Sequence, residues 1–222
     1  MATQTANEWG QGGSPEALVL DLVDKGIRDK RLLDAFNQIR RVDFVPTAFV
    51  SDAYRDEPIS IGHDQVTSQP SLIALMVQAL RLTGSEKVLE IGTGFGFQTA
   101  VLSRLCREVF SIEILADLAT AAETNLRKAG IQNAKVIVGD GSLALPDHAP
   151  FDAIIISAAS PDIPQPLVDQ LKDGGRLVQP IGPGGDETVT SFQKLQGSLT
   201  KKEEITGAYF VPLWGAFGVR KT

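Results

Sequence analysis

Cysteine is nearly absent: Cys106 is the only one in 222 residues. A disulfide framework is therefore excluded, and a cytoplasmic location is the default expectation. Histidine is scarce too, with His63 and His148 far apart in the chain. One cysteine and two distant histidines make no Cys/His cluster, so no metal is expected. Long apolar runs are missing. Nothing approaches the roughly 20 residues that span a bilayer, and no membrane partner is expected. Basic residues are the minority, 21 Lys and Arg against 27 Asp and Glu, for a net charge of -6. That balance argues against a nucleic-acid partner, since phosphate binding wants a basic surface. Residues 1–13 are polar and glycine-rich, without the basic start and apolar stretch of a secretory signal, and read as a flexible tail.

Hydrophobic residues make up 43%, enough for the core of one large domain. Ser14-Pro15-Glu16 is a helix start, with a capping hydroxyl and a proline at the first helical position. Leu18, Leu22 and Ile27 give this helix an apolar side, and Gly26 stops it. Asp29 caps a second helix with Leu32, Leu33, Phe36 and Ile39 at helical spacing, ended by Val45-Pro46. A loop-rich stretch runs from Ser51 to Pro70, and a helix is expected over Ser71–Leu82. His148 sits in the turn Pro146-Asp147-His148-Ala149-Pro150 and reads as a solvated loop residue.

From Lys87 the pattern alternates strands and helices. Strands are expected at Lys87–Ile91, Glu108–Ile112, Ala134–Val138, Ala153–Ser157 and Arg176–Pro180. Two more are expected near Thr188–Leu195 and Gly207–Val211, joined through a turn at Gln196-Gly197. Helices are expected near Phe97–Leu105, Ala116–Ala129 and Pro164–Leu171. This alternation implies a doubly wound, mainly parallel α/β sheet of seven strands with an N-terminal helical addition. The domain reading is residues 14–82 as N-terminal helices and a substrate-side loop, and 83–222 as the core, together one compact unit.

The strand Lys87–Ile91 runs into Gly92-Thr93-Gly94-Phe95-Gly96-Phe97. Glycines after a buried strand let the backbone turn sharply and approach a ligand, because no Cβ intervenes. The dinucleotide fingerprint Gly-x-Gly-x-x-Gly is not met, since Phe97 holds its last glycine position. Ligands of such sheets bind beyond the carboxyl ends of the strands. Glu113 ends the second strand, about twenty residues after Gly92, as a ribose-binding acid would. Asp140-Gly141 ends the third, where an adenine edge would lie. Each acid alone also serves as a helix cap; all three strand ends together resemble an S-adenosylmethionine-dependent methyltransferase. The expected cofactor is S-adenosyl-L-methionine, held by Glu90, Gly92, Thr93, Gly94, Gly96, Glu113, Asp140 and Gly141. After the fourth strand, Ser157-Ala158-Ala159-Ser160-Pro161 lacks the Asn/Asp-Pro-Pro-aromatic motif of amino-directed nucleic-acid methyltransferases. Cys106 follows Leu105 rather than a proline, unlike the nucleophile of cytosine methyltransferases, and reads as core.

The segment Ile59-Ser60-Ile61-Gly62-His63-Asp64-Gln65-Val66-Thr67-Ser68-Gln69-Pro70 is more specific. It resembles the protein-L-isoaspartate O-methyltransferase family, whose members usually read Pro-Ile-Gly-(His or Tyr)-Gly-Gln-Thr-Ile-Ser-Gln-Pro here. The resemblance covers nearly the whole chain after the tail. It includes Gly26-Ile27-Arg28-Asp29, Phe44-Val45-Pro46, Ala53-Tyr54, Gly139-Asp140-Gly141, Phe151-Asp152-Ala153-Ile154-Ile155, Leu171–Val178 and Phe210-Val211-Pro212-Leu213. It implies methylation of the free carboxylate of L-isoaspartyl residues in damaged proteins and peptides, which starts their repair. It also implies Ser68 as the active-site serine, with Gln65, Thr67 and Val211 beside it in substrate binding. Ser68 stands equally well as a helix cap before the apolar run, and both roles can hold. The chain departs from the pattern at Asp64, at Val66-Thr67, at Phe95 and at Phe97. Two further readings stay open: transfer to another peptide or small-molecule carboxylate, and adenosyl binding without turnover. Trp214 and Phe217 either cover the site or pack. A monomer is expected.

Overall fold

The computed structural model describes residues 13–182 and 185–220; of the expected tail only Gly13 falls among them. Helix α1 (Pro15–Asp24) starts as expected, with Ser14 Oγ accepting from the Ala17 amide at 3.2 Å. In α2 (Lys30–Gln38), Asp29 Oδ1 accepts from the amides of Arg31 and Leu32 at 2.9 and 3.3 Å. This helix ends earlier than the Val45-Pro46 signal suggests. Ile39 turns extended (φ -83°, ψ 116°), and two 3-10 turns, Arg41–Phe44 and Thr47–Asp52, carry the chain onward.

The stretch read as loop contains a hairpin, β1 (Ile59–Gly62) and β2 (Gln65–Thr67). Its turn is His63-Asp64, both left-handed at φ 53° and 57°. That is the primed turn geometry that matches strand twist, built here without the glycine or asparagine that would announce it. Helix α3 (Pro70–Ala79) comes next.

The main sheet is built from β3 (Lys87–Ile91), β4 (Glu108–Glu113), β5 (Ala134–Val138), β6 (Phe151–Ile156), β7 (Leu171–Ile181), β8 (Glu187–Leu195) and β9 (Ser198–Ala208). Its order is β5-β4-β3-β6-β7-β8-β9. The first five strands are parallel; β8 runs against β7, and β9 against β8. Helices α4 (Phe97–Ser103), α5 (Ala116–Lys128) and α6 (Gln165–Gln170) make the crossovers. The doubly wound, seven-stranded sheet is as expected.

The last strand is displaced from its reading at Gly207–Val211. Gln196 and Gly197 form a tight turn (φ 51° and 80°) that pairs Leu195 with Ser198, so β9 begins at once. Its Lys201-Lys202-Glu203-Glu204 stretch is exposed on a sheet edge and shows no apolar alternation to read.

Strand side chains alternate between two cores. Val88 joins Leu18, Phe36, Phe44, Met76 and Phe97 under the N-terminal helices. Leu89 joins Phe110, Phe151, Ile154 and Leu167 on the other face. Cys106 packs in the first, with burial pushing its thiol up to about 12. His148 is half-buried rather than solvated: its ring stacks on Phe110 at 4.4 Å between centroids. Arg41 is fully buried, and its guanidinium donates to the carbonyls of Ala53, Arg55, Glu57 and Ser68.

Candidate active site

A cavity of about 410 Å³ opens at the carboxyl ends of β3, β4 and β6. Its size is that of an ordinary small-ligand site. The floor is the loop after β3. Gly92 (φ 92°) and Gly94 (φ 55°) both need left-handed backbone there. At Gly94 a Cβ would also lie 3.1 Å from Ile61 Cδ1 of the hairpin. The hairpin therefore rests directly on the glycine loop.

Glu113 closes one side. Its Oε2 accepts from the Gly94 amide at 2.9 Å and its Oε1 from the Leu115 amide at 3.0 Å. Each carboxylate oxygen keeps a second acceptor site, and the residue lines the cavity. Ile91, Ile112, Leu118 and Leu213 make the apolar wall around it. Thr93, Gln98 and Ser157 line the polar part. Gln98 Nε2 donates to Ser157 Oγ at 3.0 Å.

Three residues expected to touch a ligand stand behind the wall. Glu90 is fully buried; it accepts from Gln98 Nε2 at 2.9 Å, Thr99 Oγ1 at 2.5 Å and Ser111 Oγ at 2.7 Å. Thr93 Oγ1 in turn lies 2.5 Å from Ser111 Oγ. Burial pushes the Glu90 carboxyl up to about 7, against these three hydrogen bonds. Its visible work is to hold the glycine loop, α4 and β4 together. Gly96 precedes α4 and faces α5, where a Cβ would meet Ala122 and Leu126 at 3.4 Å. Asp140 faces the C-terminal segment: Oδ1 accepts from the Ser142 amide and hydroxyl at 2.9 and 2.6 Å, and Oδ2 from the Ala216 amide at 2.7 Å. Gly141 does reach the cavity.

The opposite wall comes from the hairpin and the residue just after β2. Gln65, Thr67 and Ser68 line the cavity together with His63, Asp64 and Val66. The hairpin tip reaches α5, with His63 Nε2 3.7 Å from an Asp117 carboxylate oxygen. The cap of α3 is not Ser68. Gln69 holds the cap position without a side-chain bond, and Asp56 Oδ1 accepts from the Ser71 amide at 2.7 Å instead. Ser68 is thus placed on the wall of the cavity, fixed through its carbonyl by Arg41 at 3.1 Å.

The roof is a strap over Tyr209–Val219. Its start is tied down by Glu187, whose Oε2 accepts from the Phe210 amide at 3.1 Å. Beyond that, the Ala159 amide donates to the Val211 carbonyl at 2.8 Å and the Leu213 amide to the Ala159 carbonyl at 2.7 Å. Tyr209, Val211, Pro212 and Trp214 face the cavity, and Phe217 does not line it. Gly215 passes so near Asp140 that a Cβ would fall 2.1 Å from its Oδ1. Sequence reasoning missed Tyr209, Gln98 and the Asp140–Ser142 clamp; it singled out Trp214 without fixing its place.

Comparison with known proteins decides the family. A family model described as protein-L-isoaspartate(D-aspartate) O-methyltransferase matches residues 14–217. The chain belongs to the protein-L-isoaspartate O-methyltransferase family. A family member from Myxococcus xanthus is 48% identical over 193 residues, covering 86% of this chain and 91% of that protein. One from Methanoregula boonei is 44% identical over 199 residues, covering 90% and 91%. A solved protein-L-isoaspartate O-methyltransferase superposes with a TM-score of 0.81 at 29% identity, covering 92% of this chain and 67% of that one. A Plasmodium falciparum structure described by the same activity, in complex with S-adenosyl-L-homocysteine, gives 0.79 at 22% identity, covering 91% and 99%, which speaks for the fold. The seven-stranded sheet with N-terminal helices is the protein-L-isoaspartate O-methyltransferase version of the class I methyltransferase fold. The activity is methylation of isoaspartyl residues, the start of protein repair.

Proposed function

We propose that the cavity takes S-adenosyl-L-methionine on the glycine-loop side and the isoaspartyl carboxylate on the hairpin side. The residues present fit an adenosyl ligand. Gly92, Thr93, Gly94 and Gly141 offer close backbone approach, Glu113 offers acceptors to ribose hydroxyls, and Ile112, Leu118 and Leu213 offer an apolar slot. Glu90, Gly96 and Asp140 support these groups from behind. When bound, this cofactor supplies an electrophilic methyl carried on a sulfonium.

An isoaspartyl carboxylate with a pKa near 4 is already ionised at neutral pH. The chain therefore needs no strong general base, and its task is positioning. Ser68 Oγ donates to one carboxylate oxygen and aims the other; Thr67 and Gln65 hold the peptide beside it, and Val211 flanks it from the strap. The observation that supports this reading is a single cavity lined by Ser68, Glu113 and the glycine loop. The N-terminal elements (14–82) supply one side of the site and residues 83–222 the other, acting as one compact unit. The reading takes the protein as a cytoplasmic monomer acting on isoaspartyl-containing proteins and peptides. No helix among the described residues is long and apolar enough to cross a membrane.

The test is a peptide pair, one isoaspartyl and one aspartyl, with Ser68→Ala alongside the native enzyme. Transfer to the isoaspartyl peptide alone is expected, with Ser68→Ala losing most of the rate while cofactor affinity stays nearly intact. Near-normal turnover of Ser68→Ala would remove the serine from the chemistry. Turnover of neither peptide would favour another carboxylate as substrate.

A further inference from the structure

Arg41 has no exposure at all. Its guanidinium makes no hydrogen bond to a carboxylate among the described residues. It donates to four carbonyls: Nη1 to Ala53 at 2.9 Å and Arg55 at 3.1 Å, Nη2 to Glu57 at 3.4 Å and Ser68 at 3.1 Å. Its Nε is buried without a partner among the described residues. Burial lowers its pKa to about 10, opposed by the charge of Asp56. A buried cation held mainly by neutral carbonyls is costly, and packing alone would favour an apolar side chain of similar size. What an apolar residue cannot do is bridge Glu57 and Ser68. Those two residues are the two legs of the hairpin base, one just before β1 and one just after β2. The same guanidinium lies 5.4 Å from the ring centroid of Phe97, which comes directly after the glycine loop and lines the cavity.

We infer that Arg41 is a positioning residue for methyl transfer: it staples the base of the β1–β2 hairpin and so fixes Ser68 and the substrate side of the cavity relative to the glycine loop. The inference rests on the assignment of Ser68 and the hairpin to the substrate side. Arg41 touches neither ligand. It acts through the Ser68 carbonyl and through the chain direction at Glu57. A lysine keeps the charge but presents a single nitrogen, which cannot span the carbonyls of both legs together with those of Ala53 and Arg55.

The test compares the native enzyme with Arg41→Lys, Arg41→Met, Ser68→Ala and the double variant Arg41→Lys/Ser68→Ala. All are assayed well below their melting temperatures. Arg41→Lys is expected to lower kcat/KM for an isoaspartyl peptide at least tenfold while its dissociation constant for S-adenosylhomocysteine stays within about threefold. Amide exchange in residues 59–68 is expected to speed up at least tenfold, with β3 and β6 amides unchanged. The double variant is expected to be little worse than Ser68→Ala alone, as for two residues acting on one step. Native-like kcat/KM and hairpin exchange in Arg41→Lys would overturn the proposal. So would a uniform rise in exchange across the sheet, or equal losses in cofactor and peptide affinity, since these mark a merely structural residue. If the native enzyme turns over no isoaspartyl peptide, the reading of the substrate fails on that line alone. The exchange comparison still decides the staple, and Arg41→Met decides it again without a charge.

Discussion

Glu113 shows how much one side chain settles. Its carboxylate fixes the Gly94 and Leu115 amides and still presents acceptors to the cavity. Glu113→Ala is expected to weaken cofactor binding by about 1–3 kcal/mol, the scale of hydrogen bonds to a charged group; calorimetry with S-adenosylhomocysteine measures it, and unchanged affinity would take Glu113 out of the site. Glu90 is the opposite case, an acid that is fully buried and does not line the cavity. Its carboxyl is raised from 4.5 to about 7 by burial. A group held protonated more firmly in the folded state adds stability that is full below its unfolded pKa and is lost as pH rises through its folded one. The melting temperature of the native enzyme minus that of Glu90→Gln should therefore be highest below pH 4.5 and fall as pH rises toward 7. A flat difference across that window would mean the carboxyl titrates normally. Both acids look alike in sequence, each at a strand end. Only their surroundings separate them, because Gln98, Thr99 and Ser111 converge on Glu90 from other elements.

The helices and parallel strands were legible because their signals are local. Ser14 and Asp29 cap where capping residues should, and runs such as Val88-Leu89 and Ile154-Ile155-Ile156 show strands buried on both faces. The β1–β2 hairpin was not legible, since its strands are short and its left-handed turn is made of His63 and Asp64. Asp tolerates that backbone better than most residues, and glycine tolerates it best. Asp64→Gly should therefore leave the fold intact and remove a negative charge from the cavity wall. The Michaelis constant for isoaspartyl peptide is expected to fall, and to fall more at low salt where screening is weak. Equal constants at both salt concentrations would mean the charge does not meet the substrate. Gly94→Val is expected to abolish cofactor binding, because a branched side chain at φ 55° would also drive into Ile61 and lift the hairpin. A folded variant that binds normally would refute the contact between these two elements.

Across the whole molecule, a wall and the roof of the site come from segments far apart in the chain. Residues 61–68 give one wall and 209–214 the roof, with the sheet between them. Family resemblance could name Ser68 and Val211, but the clamp of the strap on Asp140 and Ser142 has no sequence signal, since main-chain amides make half of it. Gly215→Ala tests the clamp. Its Cβ would displace the Asp140 carboxylate, so a loss of about 1–3 kcal/mol is expected, along with faster amide exchange over residues 212–218 and a higher Michaelis constant for peptide. Native-like exchange in the strap would show that the close approach can relax at no cost. The roof also comes later in the chain than any strand of the sheet. Chains fold from the N-terminus as they are made, and every strand of the sheet is complete at Ala208, before the first strap residue exists. A chain cut after Ala208 would keep every named strand of the sheet and lose the strap that roofs the cavity.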